Sequence, residues 1–165
     1  MLCLVTLTMT INLLTPPVSP PFRAGAVLPE SAAPQPRINA CALLQKEEVK
    51  KHLPWEPMFD KMPLEEDEIG PSGSGCGYPS VHVQVLANPQ SMIDVAKKRG
   101  GLETIGGIGD EAYFHNNKDR FAELYVRVGK RLLTVQANIP GGQKAESVRP
   151  GVLSLGRALA SKLPQ

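Results

Sequence analysis

The stretch FAELYVRVGKRLLTVQANI, Phe121 to Ile139, decides the fold. It reads as two strands, Phe121–Val128 and Arg131–Ile139, joined at Gly129-Lys130. A glycine first in a two-residue loop suits a type II′ hairpin, whose twist matches that of the strands it joins. Strands connected so tightly pair antiparallel. Just upstream, Ala112–His115 reads as another strand, with Asn116 to Asp119 as its turn. Farther back, Val81, Val83 and Val85 alternate with His82 and Gln84 across Val81–Leu86, the period of a half-buried strand.

Three helical signals flank these strands. Leu43–Leu53 (LLQKEEVKKHL) gathers Leu44, Val49 and Leu53 on one face and its Lys and Glu residues on the other, and Pro54 and Pro57 end it. Ser91–Arg99 begins on Ser91 as N-cap with Asp94 at the capping-box position, and Gly100-Gly101 stops it. Ser147–Leu163 lines up Val148, Val152, Leu155, Leu159 and Leu163, with Pro150 expected in its first turn. Helix, strand, helix, three strands and helix predict an α+β domain. Its sheet would be four-stranded and mostly antiparallel, packed with about three helices. Pro54 to Gly77 reads as a long turn-rich loop, and its run Glu65-Glu66-Asp67-Glu68 as solvated charge.

The chain has 165 residues, 42% hydrophobic and 21% charged, with 18 Lys and Arg against 16 Asp and Glu. That is a globular mixture. A net charge of +2 excludes a strongly basic nucleic-acid arm, so no nucleic-acid partner is expected. No apolar stretch reaches the roughly 18 residues of a membrane-spanning helix. Leu2 to Leu14 is uncharged and apolar, the length of a signal-peptide core, and Ala24-Gly25-Ala26 has the small-x-small form of a cleavage site. The expected organisation is a signal-like leader over 1–26, a Pro-rich spacer over 27–36 and one domain over 37–165. Pro16 to Pro36 holds seven of the 16 prolines and cannot build a core. Export to the periplasm or the extracellular space follows as the expected localisation.

Of the three cysteines, Cys3 lies in the leader, which leaves Cys41 and Cys76. An even pair in an oxidising compartment is expected to form a disulfide, contributing about 3–4 kcal/mol by the loop it closes. Ile38-Asn39-Ala40-Cys41 has the look of a lipidation site. Pro34-Gln35-Pro36-Arg37 stands where the apolar segment of such a site belongs, so lipid anchoring is not expected. The cysteines and the scattered His52, His82 and His115 show no metal-ligand spacing, and no metal or cofactor is implied.

Gly106-Gly107-Ile108-Gly109-Asp110-Glu111 resembles the GGDEF string of cyclic-dinucleotide synthases, interrupted by Ile108-Gly109. A phosphate-cradling glycine loop precedes a helix, whereas here strand-like Ala112-Tyr113-Phe114 follows. Gly109, Asp110 and Glu111 are the candidate functional turn. Trp55, Phe59 and Met62 are the candidate interaction patch, an apolar contact surface if exposed.

Several of these pieces together resemble a family of small exported bacterial proteins, many of them lipoproteins. They are Cys41-Ala42-Leu43-Leu44 with Glu47-Glu48-Val49, Gly75-Cys76-Gly77-Tyr78, and Ile108-Gly109-Asp110-Glu111-Ala112-Tyr113 followed by two strands and a terminal helix. The resemblance covers about Cys41 to Leu163. It implies an extracytoplasmic α+β domain with two paired cysteines and no established activity. Two functions are open at this point, beside the plainer reading of a structural domain. One is a non-catalytic module that binds an unknown protein or an envelope ligand. The other is a small exported enzyme in which Asp110 and Glu111 work with a histidine. A deep polar pocket joining those three groups would mark the enzyme, and a shallow surface with an exposed Trp55 the binder. The sequence assigns no oligomeric state.

Overall fold

The computed structural model describes residues 36–54, 63–69, 73–87, 90–117, 120–141 and 143–165, all within the unit Pro34–Gln165. Among the described residues are seven strands and four helices. The strands are β1 (Glu65–Ile69), β2 (Gly73–Tyr78), β3 (Val81–Ala87), β4 (Leu102–Ile105), β5 (Glu111–Asn117), β6 (Phe121–Val128) and β7 (Arg131–Asn138). They form a single antiparallel sheet in the order β1-β2-β3-β7-β6-β5-β4. The expected four-stranded α+β domain with about three helices is therefore corrected to a larger, mostly sheet architecture.

Three strands account for the difference. β1 (EEDEI) has no apolar alternation, because it is an edge strand whose Glu65, Glu66 and Asp67 face solvent. Charge on an edge also discourages further pairing. β2 (GSGCGY) lacks the bulky residues that mark strands. Its glycines are there because neighbours fill the space above them. A Cβ on Gly73 would stand 2.6 Å from Leu86, and one on Gly75 would stand 3.1 Å from the His82 ring. β4 (LETI) is only four residues long at the opposite edge.

The helices are α1 (Ala40–Leu43), α2 (Lys46–His52), α3 (Gln90–Arg99) and α4 (Ala145–Ala160). The expected helix Leu43–Leu53 is split at Leu44-Gln45, and the Asn39 side chain caps α1 by accepting from the Ala42 N–H at 3.1 Å. α4 begins earlier than expected, so Pro150 lies inside the helix beyond its first turn. α1, α2 and α4 share one face of the sheet. There Val148, Val152, Leu155 and Leu159 pack with Leu124, Val126, Leu133 and Val135. Each such buried side chain contributes about 1.5–3 kcal/mol. A Cβ on Gly156 would collide with Leu124, so this glycine lets α4 approach the sheet closely.

Cys41 and Cys76 are bonded with Cα atoms 5.0 Å apart, which ties α1 to β2. The Ala40 N–H donates to the Ser74 hydroxyl at 3.0 Å beside this bond. The other face carries α3, whose Ile93 and Ala96 pack on Tyr125 and Leu132. α3 begins at Gln90 rather than at a Ser91 cap, and Asp94 accepts from the Gln90 amide at 2.9 Å. Among the described residues α3 is the sole helix on this face. No helix among them is long and apolar enough to cross a membrane.

Candidate functional site

The glycine turn is the first place to look, and its chemistry is committed to the fold. Ile108 is buried and anchors the loop. Gly109 has φ +58°, and a Cβ there would strike the Arg127 carbonyl and Val126. Only glycine combines that backbone with that approach. The Asp110 N–H donates to the Arg127 carbonyl at 2.8 Å, and the Asp110 carboxylate accepts from the Gly129 N–H at 2.6 Å. Asp110 thus clamps the β6–β7 turn, where Gly129 has φ +56°, as a primed hairpin requires.

Glu111 is equally engaged. One oxygen accepts from Lys97 Nζ at 3.0 Å and from the Tyr113 hydroxyl, and the other from Arg127 Nε at 3.2 Å. The Tyr113 hydroxyl and then the Lys97 ammonium pull its carboxyl from the ordinary 4.5 down to about 2. Among the described residues, neither Asp110 nor Glu111 is hydrogen-bonded to a histidine. The cleft of about 290 Å³ beside Asp110 is lined by Ile108, Arg157 and Ser161 and includes neither Glu111 nor a histidine.

The opposite ends of the same strands are different. On the α3 face, the register sets His82, Gln136, Glu123 and His115 in one row across β3, β7, β6 and β5. The next row outward brings Asn138, Phe121 and Asn117 together across β7, β6 and β5. Ser80, whose carbonyl accepts from the Asn138 N–H at 2.7 Å, continues that row past the end of β3. α3 packs on Tyr125, Leu132 and Leu86, farther along the strands, and leaves these two rows uncovered by any described helix.

Each histidine in this grid is held by a carboxylate. His82 Nε2 lies 2.9 Å from Asp67 Oδ2. To reach it, the ring passes over Gly75 and Gly77, where a Cβ would stand 3.1 Å and 3.0 Å from its atoms. His115 Nδ1 lies 3.2 Å from Glu123 Oε2, which also accepts from the Tyr125 hydroxyl at 3.0 Å. Burial, and then the Glu123 charge, push the Tyr125 phenol above its ordinary range. Two hydroxyls here, those of Ser80 and Thr134, are buried without a hydrogen-bond partner among the described residues. A notch of about 60 Å³ opens between Ser80, His82, Gln136 and Asn138.

A third constellation joins α2 to α4. Ser154 Oγ lies 2.8 Å from His52 Nδ1, and His52 Nε2 lies 3.0 Å from Glu48 Oε1. Lys162 Nζ donates to the other Glu48 oxygen at 3.2 Å. The His52 hydrogen bond, and then that of Lys162, lower the Glu48 pKa. A serine, histidine and carboxylate in series invite a nucleophilic reading. Ser154 lies well inside α4, however, where the helix ladder occupies the backbone N–H groups beside it. Those groups cannot hold an oxyanion. The chain of contacts serves as an interhelical tie.

The candidate patch of Trp55, Phe59 and Met62 lies outside the described residues, as do the expected leader over 1–26 and nearly all of the expected spacer over 27–36. Gly109, Asp110 and Glu111 are found together and occupied. The sequence alone does not name this grid, although His82 on the polar phase of β3 is its visible signal. Its partners Gln136, Glu123, Asn138 and Phe121 follow the same phase on β7 and β6, and only the register joins them. No protein-family model matches the chain, and no curated protein or solved structure matches it.

Proposed function

We propose that the chain is an exported, non-catalytic binding module of the bacterial envelope or secreted space, and that the polar grid at the open end of its sheet meets a protein or envelope ligand. One observation carries this reading. The acids of the glycine turn are consumed by internal contacts, whereas the grid combines a notch with a buried hydroxyl that has no partner among the described residues. Buried polar groups left unsatisfied cost about 1–3 kcal/mol each, and an external partner would recover that cost.

Export is supported by the signal-like leader over 1–26, the Pro-rich spacer over 27–36 and the bonded cysteines, since disulfides persist where thiols are not kept reduced. The resemblance to small exported bacterial proteins points to the same compartment. Cys41 follows a Pro-rich segment and is bonded to Cys76, so the mature protein carries no lipid there.

The test is to express the full chain in bacteria, weigh the mature protein by mass spectrometry and co-sediment it with washed envelopes. The expected result is a leaderless chain with an oxidised cysteine pair that sediments with envelopes, less so as His82→Ala or Gln136→Ala. A full-length cytoplasmic chain with free thiols overturns the reading. So does co-sedimentation that is absent or indifferent to both substitutions.

A further inference from the structure

We propose that the grid binds a neutral saccharide, with one sugar ring against Phe121 and a substituent in the notch beside Ser80. This rests on the binding-module reading and names its ligand class. The first argument is the chemistry of the groups on offer. Ser80, Gln136, Asn138 and Asn117 are neutral hydroxyls and amides that both donate and accept. The Asn138 amide N–H₂ donates to the Pro79 carbonyl at 3.0 Å, leaving its oxygen to accept. His82 gives its Nε2 to the Asp67 carboxylate, which leaves Nδ1 as the second ring nitrogen of a residue that lines the notch. Every sugar hydroxyl is likewise both donor and acceptor, and a row of such groups can satisfy several at once.

The second argument is Phe121. It is half-buried, points to the same face, and pairs directly with Asn138 across the ladder. An aromatic ring among amides offers an apolar platform for the C–H face of a pyranose while the amides take its rim. The third argument is exclusion by charge. No lysine or arginine belongs to the two rows themselves, although Arg120 borders Phe121, and Glu123 adds negative charge, so the rows disfavour an anionic ligand. Among the described residues no three His, Cys, Asp or Glu side chains cluster as metal ligands, and Glu123 is already engaged by His115 and Tyr125.

The buried hydroxyls are the fourth and independent observation. Ser80 is one of the notch residues, and among the described residues its buried hydroxyl has no partner. Thr134, next to Gln136 on the same face of β7, is 8% exposed and its hydroxyl is also unpartnered. A ligand hydroxyl entering the notch supplies the missing bond once the buried Ser80 hydroxyl rotates toward it, and a space of about 60 Å³ admits a group of that size.

The experiment is an amide-resolved NMR titration of the mature chain with chitotetraose, cellotetraose and maltotetraose. The expected result is saturable shifts for at least one of them, centred on Ser80, His82, Phe121, Gln136 and Asn138. Phe121→Ala and Gln136→Ala should each weaken that affinity about tenfold. Gln136 is half-exposed, so its variant keeps the assay valid if Phe121→Ala folds poorly. No saturable shift with any of the three sugars overturns the proposal. So does binding that neither substitution weakens. Grid-dependent envelope co-sedimentation with no sugar binding would reject the saccharide while leaving the binding module standing.

Discussion

The two ends of β5 and β6 make opposite use of polar residues. At one end, Asp110 clamps the hairpin through Gly129 and Glu111 gathers Lys97, Tyr113 and Arg127. At the other, His82, Gln136, Asn138 and Phe121 line a face that no described helix covers, beside a hydroxyl without a partner among the described residues. A conspicuous string of glycines and acids is therefore architecture here, and an unremarkable set of alternating polar residues is the surface left for a partner. Conspicuousness in a sequence measures local constraint. A turn with left-handed glycines and a capping acid is tightly constrained whether or not it binds anything.

The largest expected effect breaks the comparison at the grid end. β1 and β2 supply the floor over which His82 reaches Asp67, and the Cys41–Cys76 bond secures that half of the sheet to α1. Cys41→Ser with Cys76→Ser should cost about 3–4 kcal/mol for the loop it opens. Hydrogen exchange should show lost protection across the sheet, with the greatest loss in β1 and β2. Uniform loss across the sheet would mean that the staple is not local.

The next effect falls on the turn. Gly109→Ala forces a side chain into a left-handed position against the Arg127 carbonyl and should cost about 1–3 kcal/mol in chemical denaturation. An unchanged midpoint would show that the turn tolerates a Cβ and is looser than its contacts imply.

This contrast also explains what could be read in advance. The hairpin of β6 and β7, the strand β3 and the helices α3 and α4 announce themselves because each buries an apolar set at its own period. β2 did not, because Gly73, Gly75 and Gly77 are chosen to make room for side chains from β1 and β3, a reason that lies outside the segment. β1 did not, because an edge strand needs no buried face. The cysteine pair was legible from parity and compartment. The grid was half legible. His82 and Gln84 are recognisable as a polar phase, but their neighbours on β7 and β6 are distant in the chain, and pairing register is not written in either strand alone.

A smaller effect appears with acid. Glu111 titrates near 2 in the folded chain against 4.5 ordinarily, so its stabilisation is fully present above pH 4.5 and is lost as pH falls toward 2. Glu111→Gln should flatten the acid limb of the stability curve. An acid limb identical to that of the parent chain would show that the ion network is too well screened by solvent to matter.

The smallest effect is the most informative. Gln136→Ala removes a half-exposed amide and should leave stability within about 0.5 kcal/mol. Asp110→Asn removes the charge that accepts the Gly129 N–H and should cost about 1–2 kcal/mol. The direct test measures thermal unfolding and envelope co-sedimentation for these two variants side by side. The account predicts that Asp110→Asn lowers the midpoint and keeps envelope binding, while Gln136→Ala keeps the midpoint and loses binding. The reverse pattern, binding lost with the turn and kept without the amide, would contradict it.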